Sequence, residues 1–503
     1  MKILYPALFV VIVILAPMQF STQSMASIDN TVDQSFLYSA FHLDKIWPIT
    51  KGNMLKVALI DTGIGTLFDN NIYKNSNELP NGIDDDNNGY IDDIRGWNVF
   101  SNNNNTIDWS VSSHGSKVAS TILTVAPEVQ LIPITFIGSD NYITETNLPL
   151  LYDALLYADV IGADIIVMPF EYGINTPTNI LNEIQVLYNK NVILLASIGN
   201  CNPYAQDCFF VRPPARIPYV FGIGAIDSDN NHWSGSPVGN EVDFVTYGVD
   251  VEVSYGNSTN QFNDIGTGTS FSVGIAGGIV SLLKSYRPDL NNEAVRYYLQ
   301  RSSRYLGQKE YYGSGLPQLY VAMKAIDDIT PPSIDSYIYS LDTDGLTIDF
   351  TASESTGIYS CVYQYKNLND SDYSSVQNCY SNLPQFSDFL SKVEFTIYQY
   401  DLSPFLTLNI TLNDVSNNNY SFSISLELNL VTNSIQTDSS SASAGSDTIN
   451  IPDVSNYSSE KVISTIIHQD QVSNSTPNTT PYDFVGSVFF FVVILSFRRK
   501  NRH

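Results

Sequence analysis

The sequence predicts an α/β domain with a doubly wound, mostly parallel sheet, followed by a small all-β Ig-like sandwich. Three observations carry that expectation. Between residues 35 and 328, the runs KVALID, VQLIPITFI, ADIIVMPF, NVILLAS and YVFGIGAI are short, apolar and rich in β-branched residues, as strands buried on both faces are. Stretches of helical periodicity stand between these runs, at 114–125, 148–161, 178–189 and 270–286, the last stopping before Pro288, whose ring cannot continue a helix. At Thr330-Pro331-Pro332 the helical pattern ends, and over 330–430 runs such as GLTIDFTA, VEFTIYQY, FLTLNITL and YSFSISLELN alternate with period two. About one hundred residues of this kind is the size of an Ig-like sandwich.

The flanking segments read differently. Lys2, an apolar run from Ile3 to Ala16 and the small-x-small pattern Ser24-x-Ala26 mark residues 1–26 as a signal peptide. Residues 431–481 are dominated by Ser, Thr, Asn and Asp, cannot bury a core, and are expected to be a disordered polar linker. Residues 484–503 join an apolar run to Arg498, Arg499, Lys500 and Arg502, which predicts a hydrophobic membrane anchor or sorting tail with a basic end. An extracellular or cell-surface protein is expected.

Acidic side chains outnumber basic ones 51 to 24, so the net charge of −27 excludes a nucleic-acid surface, which needs clustered cations. The four cysteines fall into two close pairs, Cys201 with Cys208 and Cys361 with Cys379. In an exported chain these are expected to be two local disulfides, each contributing about 2.5–3 kcal/mol by loop-entropy arguments.

Candidate catalytic groups are few. Asp61 ends the apolar run VALI, at the carboxyl edge where parallel sheets keep their sites. Asp61-Thr62-Gly63 also matches an aspartic-protease loop, but that chemistry needs a second such loop, and the sequence has none. Of five histidines, His468 and His503 lie in the linker and tail, leaving His42, His114 and His232. His114 stands at a helix start, with Ser112 or Ser113 as the expected cap and Gly115 after it. Ser270, in GTGTSFSVGIAGGIVSLL, falls in the first turn of a buried helix, where amide dipoles favour a developing oxyanion. Asn200, at the end of ASIGN, offers a side-chain amide of the kind that donates to such an anion. No Gly-x-Ser-x-Gly elbow occurs, which excludes an α/β-hydrolase.

Together these residues resemble the subtilisin-type serine proteases, the subtilases, over about 290 residues. VALIDTGIG resembles the family's Asp motif, SHGSKVAS its His motif, LASIGN its oxyanion-hole motif and GTGTSFS its Ser motif, in family order. The resemblance implies a subtilisin-like fold and an endopeptidase cleaving polypeptides through an acyl-enzyme. It implies Ser270 as nucleophile, His114 as general base and acid, Asp61 as the group orienting the imidazole, and Asn200 as oxyanion donor.

Departures from the pattern are specific. The family's HGTHVAG reads HGSKVAS here, so Ser116 and Lys117 replace Thr and the second His. After Ser270, small-small-Pro becomes Ser272, Val273 and Gly274, which is expected to loosen the nucleophile's helix. MPFEYG, from Met168, matches the family's substrate-pairing stretch poorly.

Between the Asp and His motifs, NGIDDDNNGYIDDIRGW places Asp84, Asp86, Asn88 and Asp92 at alternate positions around Gly89, with the carbonyl of Tyr90 beside them. This is how an oxygen-donor loop wraps a hard cation, and Ca²⁺ is expected there. No redox or nucleotide cofactor is expected. The alternative to a protease is an inactive scaffold of this fold carrying a binding or adhesion domain.

Overall fold

The computed structural model describes residues 34–138, 143–144, 146–173, 175–201, 208–328, 333–341, 345–353, 358–367, 370–379, 390–398, 405–416, 418–427 and 462–466. The expected signal peptide, the tail and most of the linker lie outside these. Among the described residues, no helix is long and apolar enough to cross a membrane.

The first region is built on seven strands: β1 (Lys56–Asp61), β2 (Trp97–Asn98), β3 (Gln130–Thr135), β4 (Ile165–Met168), β5 (Ile193–Ser197), β6 (Val220–Ile226) and β7 (Val242–Tyr247). They pair in the order β2-β3-β1-β4-β5-β6-β7, all parallel. The order runs outward from β1 in both directions, so the carboxyl ends of β1 and β4 flank the switch point at which such sheets open a crevice. The apolar runs show no alternation because helices cover both faces: every residue of β4, β5, β6 and β7 is buried.

Helices in this region are α1 (Gln34–Ala40), α2 (Leu43–Ile46), α3 (His114–Val125), α4 (Leu150–Val160), α5 (Thr178–Asn189), α6 (Thr269–Tyr286), α7 (Asn292–Arg301), α8 (Lys309–Tyr312) and α9 (Leu319–Asp327). Helix α6 is buried continuously from Thr269 to Lys284, as a helix apolar on all sides must be. It packs on α3 through glycines. A Cβ on Gly274 would stand 2.1 Å from Thr121 Oγ1, and one on Gly278 2.6 Å from Val125 Cβ. Gly274 was expected to loosen this helix; instead its missing side chain admits α3, and the two helices that carry His114 and Ser270 interlock.

Two further pairs complete the region: the hairpin β8 (Val251–Asn257) with β9 (Asn260–Gly266), and the short β10 (Ser303–Arg304) with β11 (Leu316–Pro317).

Among the described residues from 333 onward, the regular elements are all β-strands. One antiparallel sheet has the order β16-β13-β12-β19, from β12 (Ser333–Leu341), β13 (Gly345–Ser353), β16 (Leu390–Tyr398) and β19 (Val462–Ile466). The other has the order β15-β14-β17-β18, from β14 (Ile358–Asn367), β15 (Gln377–Asn378), β17 (Phe405–Asp414) and β18 (Asn419–Glu427). Alternate residues, such as Leu346, Ile348 and Phe350 from one sheet and Leu408, Ile410 and Leu412 from the other, share one core. The expected Cys361–Cys379 disulfide is formed there.

Within 431–481, the described residues are the strand β19. VISTI pairs antiparallel with β12, from Leu341↔Val462 to Tyr337↔Ile466, at the edge that β12 otherwise leaves open. The two regions touch where Arg301 donates to the carbonyls of Asp414 (2.6 Å) and Val415 (2.8 Å), and Asn418 Nδ2 to that of Asp328 (3.3 Å).

Candidate active site

Asp61 is the last residue of β1 and fully buried. Its two carboxylate oxygens lie 2.9 and 2.8 Å from His114 Nδ1, and Oδ1 also accepts the Thr62 amide at 2.6 Å. The close approach depends on Gly115, where a Cβ would meet the Gly63 carbonyl at 2.2 Å and Asp61 Cβ at 3.1 Å.

His114 is the first residue of α3. Ser113 does occupy the cap position, in the left-handed region (φ 50°), but its side chain caps nothing. Tertiary groups replace it. Thr62 Oγ1 accepts the Gly115 amide at 2.9 Å, and Asp108 Oδ2 accepts the Ser116 amide at 3.0 Å and its hydroxyl at 2.7 Å. A carboxylate facing a helix N-terminus is electrostatically favourable. Burial nevertheless pushes the Asp108 carboxyl above its usual range, and the charge of Asp61 adds to the rise, against the hydrogen bonds of Ser110 and Ser116.

Burial alone would lower the His114 pKa. The charge and hydrogen bond of Asp61, with a further contribution from Asp108, outweigh it, so His114 lies above the ordinary imidazole value even though Lys117 opposes the rise. The Nδ1 contact to a buried carboxylate leaves Nε2 as the nitrogen available for proton transfer.

Ser270 is the second residue of α6 and nearly inaccessible. Its hydroxyl donates to the Pro169 carbonyl at 2.9 Å, just beyond the end of β4. The ring of Phe271, the next residue, is centred 6.2 Å from that of His114. Asn200 Oδ1 accepts the Thr269 amide at 2.9 Å and lies 3.1 Å from the Thr269 hydroxyl. With Oδ1 engaged by the residue before Ser270, the Nδ2 donor is the free end of the amide. Gly199 (φ +108°) precedes it, and a Cβ there would fall 1.9 Å from Glu171 Oε2, whose carboxylate sits 3.4 Å from Arg212. The Cys201–Cys208 disulfide follows directly and matches the expected pairing.

His232 is remote from this chemistry. Burial depresses it to about 4, and its ring packs against Tyr311 and Tyr312. His42 precedes α2.

In the acidic loop, the expected ligands were Asp84, Asp86, Asn88, Tyr90 and Asp92. Among the described residues, the carboxylates that converge are Glu78, Asp86 and Asp93, with oxygens within 4.8 Å of one another. Backbone amides bond carboxylates throughout the loop: Asp84 accepts those of Asn88 and Gly89, Asp92 those of Asn81 and Gly82, and Glu78 those of Asp86 and Asp92. Short acidic side chains in turns capture nearby backbone donors in this way. Asn88 Nδ2 reaches Asp93 at 3.2 Å, and the Tyr90 ring packs on Trp97 and Tyr157. Burial raises the Asp93 carboxyl above its usual range against the hydrogen bonds of Tyr157, Asn75 and Asn88, with a smaller upward contribution from the charge of Asp86. Glu78 lies upstream of the alternating Asp pattern, and only the folded loop brings it in.

A hydroxyl at a helix N-terminus, an imidazole held by a buried carboxylate, and an asparagine hydrogen-bonded to the residue before that hydroxyl are groups of the kind a serine hydrolase uses. The family model described as "Subtilase family" matches residues 52–315, more than half of the chain. The chain belongs to the subtilase family and is a serine-type endopeptidase with a subtilisin-like α/β fold. It is 28% identical to Subtilisin BL of Lederbergia lenta over 53% of this chain and 89% of that protein. With M-protease of Shouchella clausii it shares 27% identity over 53% of this chain and 63% of that protein, under two thirds of its length. A solved structure described as a lanthipeptide protease aligns with a TM-score of 0.48 and 19% identity, over 58% of this chain and 95% of that one.

Proposed function

We propose that the protein is an exported endopeptidase that cleaves polypeptides through an acyl-enzyme on Ser270. In this reading His114 Nε2 takes the Ser270 proton and returns it to the leaving amine. Asp61 holds the imidazole tautomer and stabilises its cation, and Asn200 Nδ2 with the α6 amides receives the oxyanion. The observation that carries the reading is the 2.8 Å contact of His114 Nδ1 with a carboxylate that has no access to water. For attack, the Ser270 hydroxyl must leave the Pro169 carbonyl and donate to Nε2. The test is peptide hydrolysis by the purified protein beside Ser270→Ala and His114→Ala. The wild type hydrolyses peptide and both variants fall by three orders of magnitude or more, roughly the scale of triad removal. Full activity in either variant would overturn the assignment.

The converging carboxylates of Glu78, Asp86 and Asp93, all hard oxygen donors, fit Ca²⁺, and Asn88 stands beside them. A bound cation would neutralise mutually repelling acids and brace the segment leading from β1 to the His114 helix.

For the rest of the chain, we infer a signal peptide at 1–26, a peptidase domain over 35–328, an Ig-like domain over 330–430, a polar linker at 431–481 apart from β19, and an anchor or sorting tail at 484–503. Two stacked antiparallel sheets support the Ig-like reading, and the two disulfides suit an oxidising compartment.

A further inference from the structure

The hairpin β8–β9 lies against both helices of the site. On α3 it is held by the Ser254 amide, which donates to Ser120 Oγ at 3.0 Å, and by Lys117 Nζ, 2.7 Å from Asp264 Oδ2. On the other side Gly266, its last residue, abuts Phe271, where a Cβ would come within 2.4 Å of the ring. The hairpin therefore bridges the helix that starts at His114 and the residue that follows Ser270.

Lys117 is an unusual occupant of this junction. Its side chain is 4% exposed, among Val118, Ala119 and Ile122 of α3, and its ammonium also lies 4.8 Å from the centre of the Tyr255 ring. A lysine at such depth is expensive to desolvate and is tolerated only with a partner. It stands three residues after His114, on the adjacent helical face. The charged groups around the imidazole are Asp61 from β1, Asp108 from the segment entering α3, and Lys117 from α3 itself, with Asp264 of the hairpin behind Lys117.

We propose that Lys117 is a positioning residue of the hydrolysis: paired with Asp264 it fastens the hairpin across the His114 helix, and its charge offsets Asp61 and Asp108 at the imidazole. This rests on His114 being the general base. Removing the charge of Lys117 and removing that of Asp264 therefore move the imidazole in opposite directions, whereas loosening of the hairpin alone would act the same way in both.

The test is kcat/KM against pH for the full-length protein and for Lys117→Met, Lys117→Arg and Asp264→Asn, with thermal melting to confirm folding. Lys117→Met removes a positive charge, so the acidic limb moves up by on the order of half a pH unit or more. Asp264→Asn leaves the ammonium uncompensated, and the limb moves down, by less, because Asp264 is partly solvated. Lys117→Arg restores the wild-type limb. If Lys117→Met does not fold, the downward shift in Asp264→Asn decides the sign, with Lys117→Arg as the charge-conserving control. Limbs that stay in place, or that move the same way in Lys117→Met and Asp264→Asn, overturn the proposal. His114→Ala and Ser270→Ala separate the two readings: if either retains activity, the general-base assignment has failed; if both are inactive while the limbs stay in place, only the role of Lys117 has.

Discussion

Gly199→Ala probes how tightly the oxyanion side of the site is built. The residue has φ +108°, where a Cβ costs about 1–2 kcal/mol, and that Cβ would stand 1.9 Å from Glu171 Oε2 and 2.9 Å from its Cδ. Glu171 cannot swing away freely, since it is buried and faces Arg212 at 3.4 Å. Overpacking at such a contact adds about 1–3 kcal/mol, so a total near 3 kcal/mol is expected. Calorimetry should show this as a fall in Tm of roughly 6–12 °C for a domain of this size. Because Gly199 is bonded to Asn200, kcat should fall about tenfold to a hundredfold with KM nearly unchanged, the signature of a contact made in the transition state. Glu171→Ala in the same chain removes the collision but not the backbone strain. The double variant should therefore recover the overpacking share, a coupling of about 1–3 kcal/mol. A Gly199→Ala protein within about 0.5 kcal/mol of wild type, or a double variant with no recovery, would mean that no collision with Glu171 occurs.

Further outcomes follow from other parts of the molecule. Asp61→Asn should lower kcat by roughly 10³–10⁴ by favouring the wrong imidazole tautomer, and should move the acidic limb of the pH profile down, since Asp61 is the main group raising His114. Chelation should lower Tm by several degrees, added Ca²⁺ at a hundred times its Kd should restore about 2.7 kcal/mol, and Glu78→Gln should abolish the response. Asp414, in the β region, is pushed up to about 6, chiefly by burial. Its folded state holds the proton that the unfolded chain releases near pH 4, so this carboxyl makes stability fall as pH rises through about 6, and Asp414→Asn should flatten that slope in thermal melts. Arg301→Ala removes the donors to the Asp414 and Val415 carbonyls and should lower the melting temperature of the β region, read by calorimetry.

The sequence disclosed the parts of this protein whose signals are local. Buried parallel strands appear as unbroken apolar runs, so β1, β3, β4, β5 and β6 could be placed. Asp61 ends β1, His114 starts α3, Ser270 lies in the first turn of α6 and Asn200 follows β5 by three residues, each within two residues of a glycine. Groups brought in by tertiary contact were not legible. The α3 helix is capped by Thr62 and Asp108 and not by its own serines, because the chain from β1 folds back over its first turn. Glu78 reaches the acidic cluster from outside the alternating Asp pattern, held there by the amides of Asp86 and Asp92. Gly274 looked like a weak point in isolation, and only the packing of Thr121 against it shows why a side chain is excluded there. β19 lay hidden in a polar stretch, since five residues of strand propensity acquire a structure only from the edge they join.

The central claim is that Ser270 is a nucleophile activated by His114. Labelling the purified protein with a fluorophosphonate, followed by mass spectrometry of the modified peptide, tests it most directly. The account predicts one stoichiometric adduct on Ser270, lost in Ser270→Ala and strongly slowed in His114→Ala. A folded wild-type protein that takes up no label, or that is labelled on another residue, would contradict it.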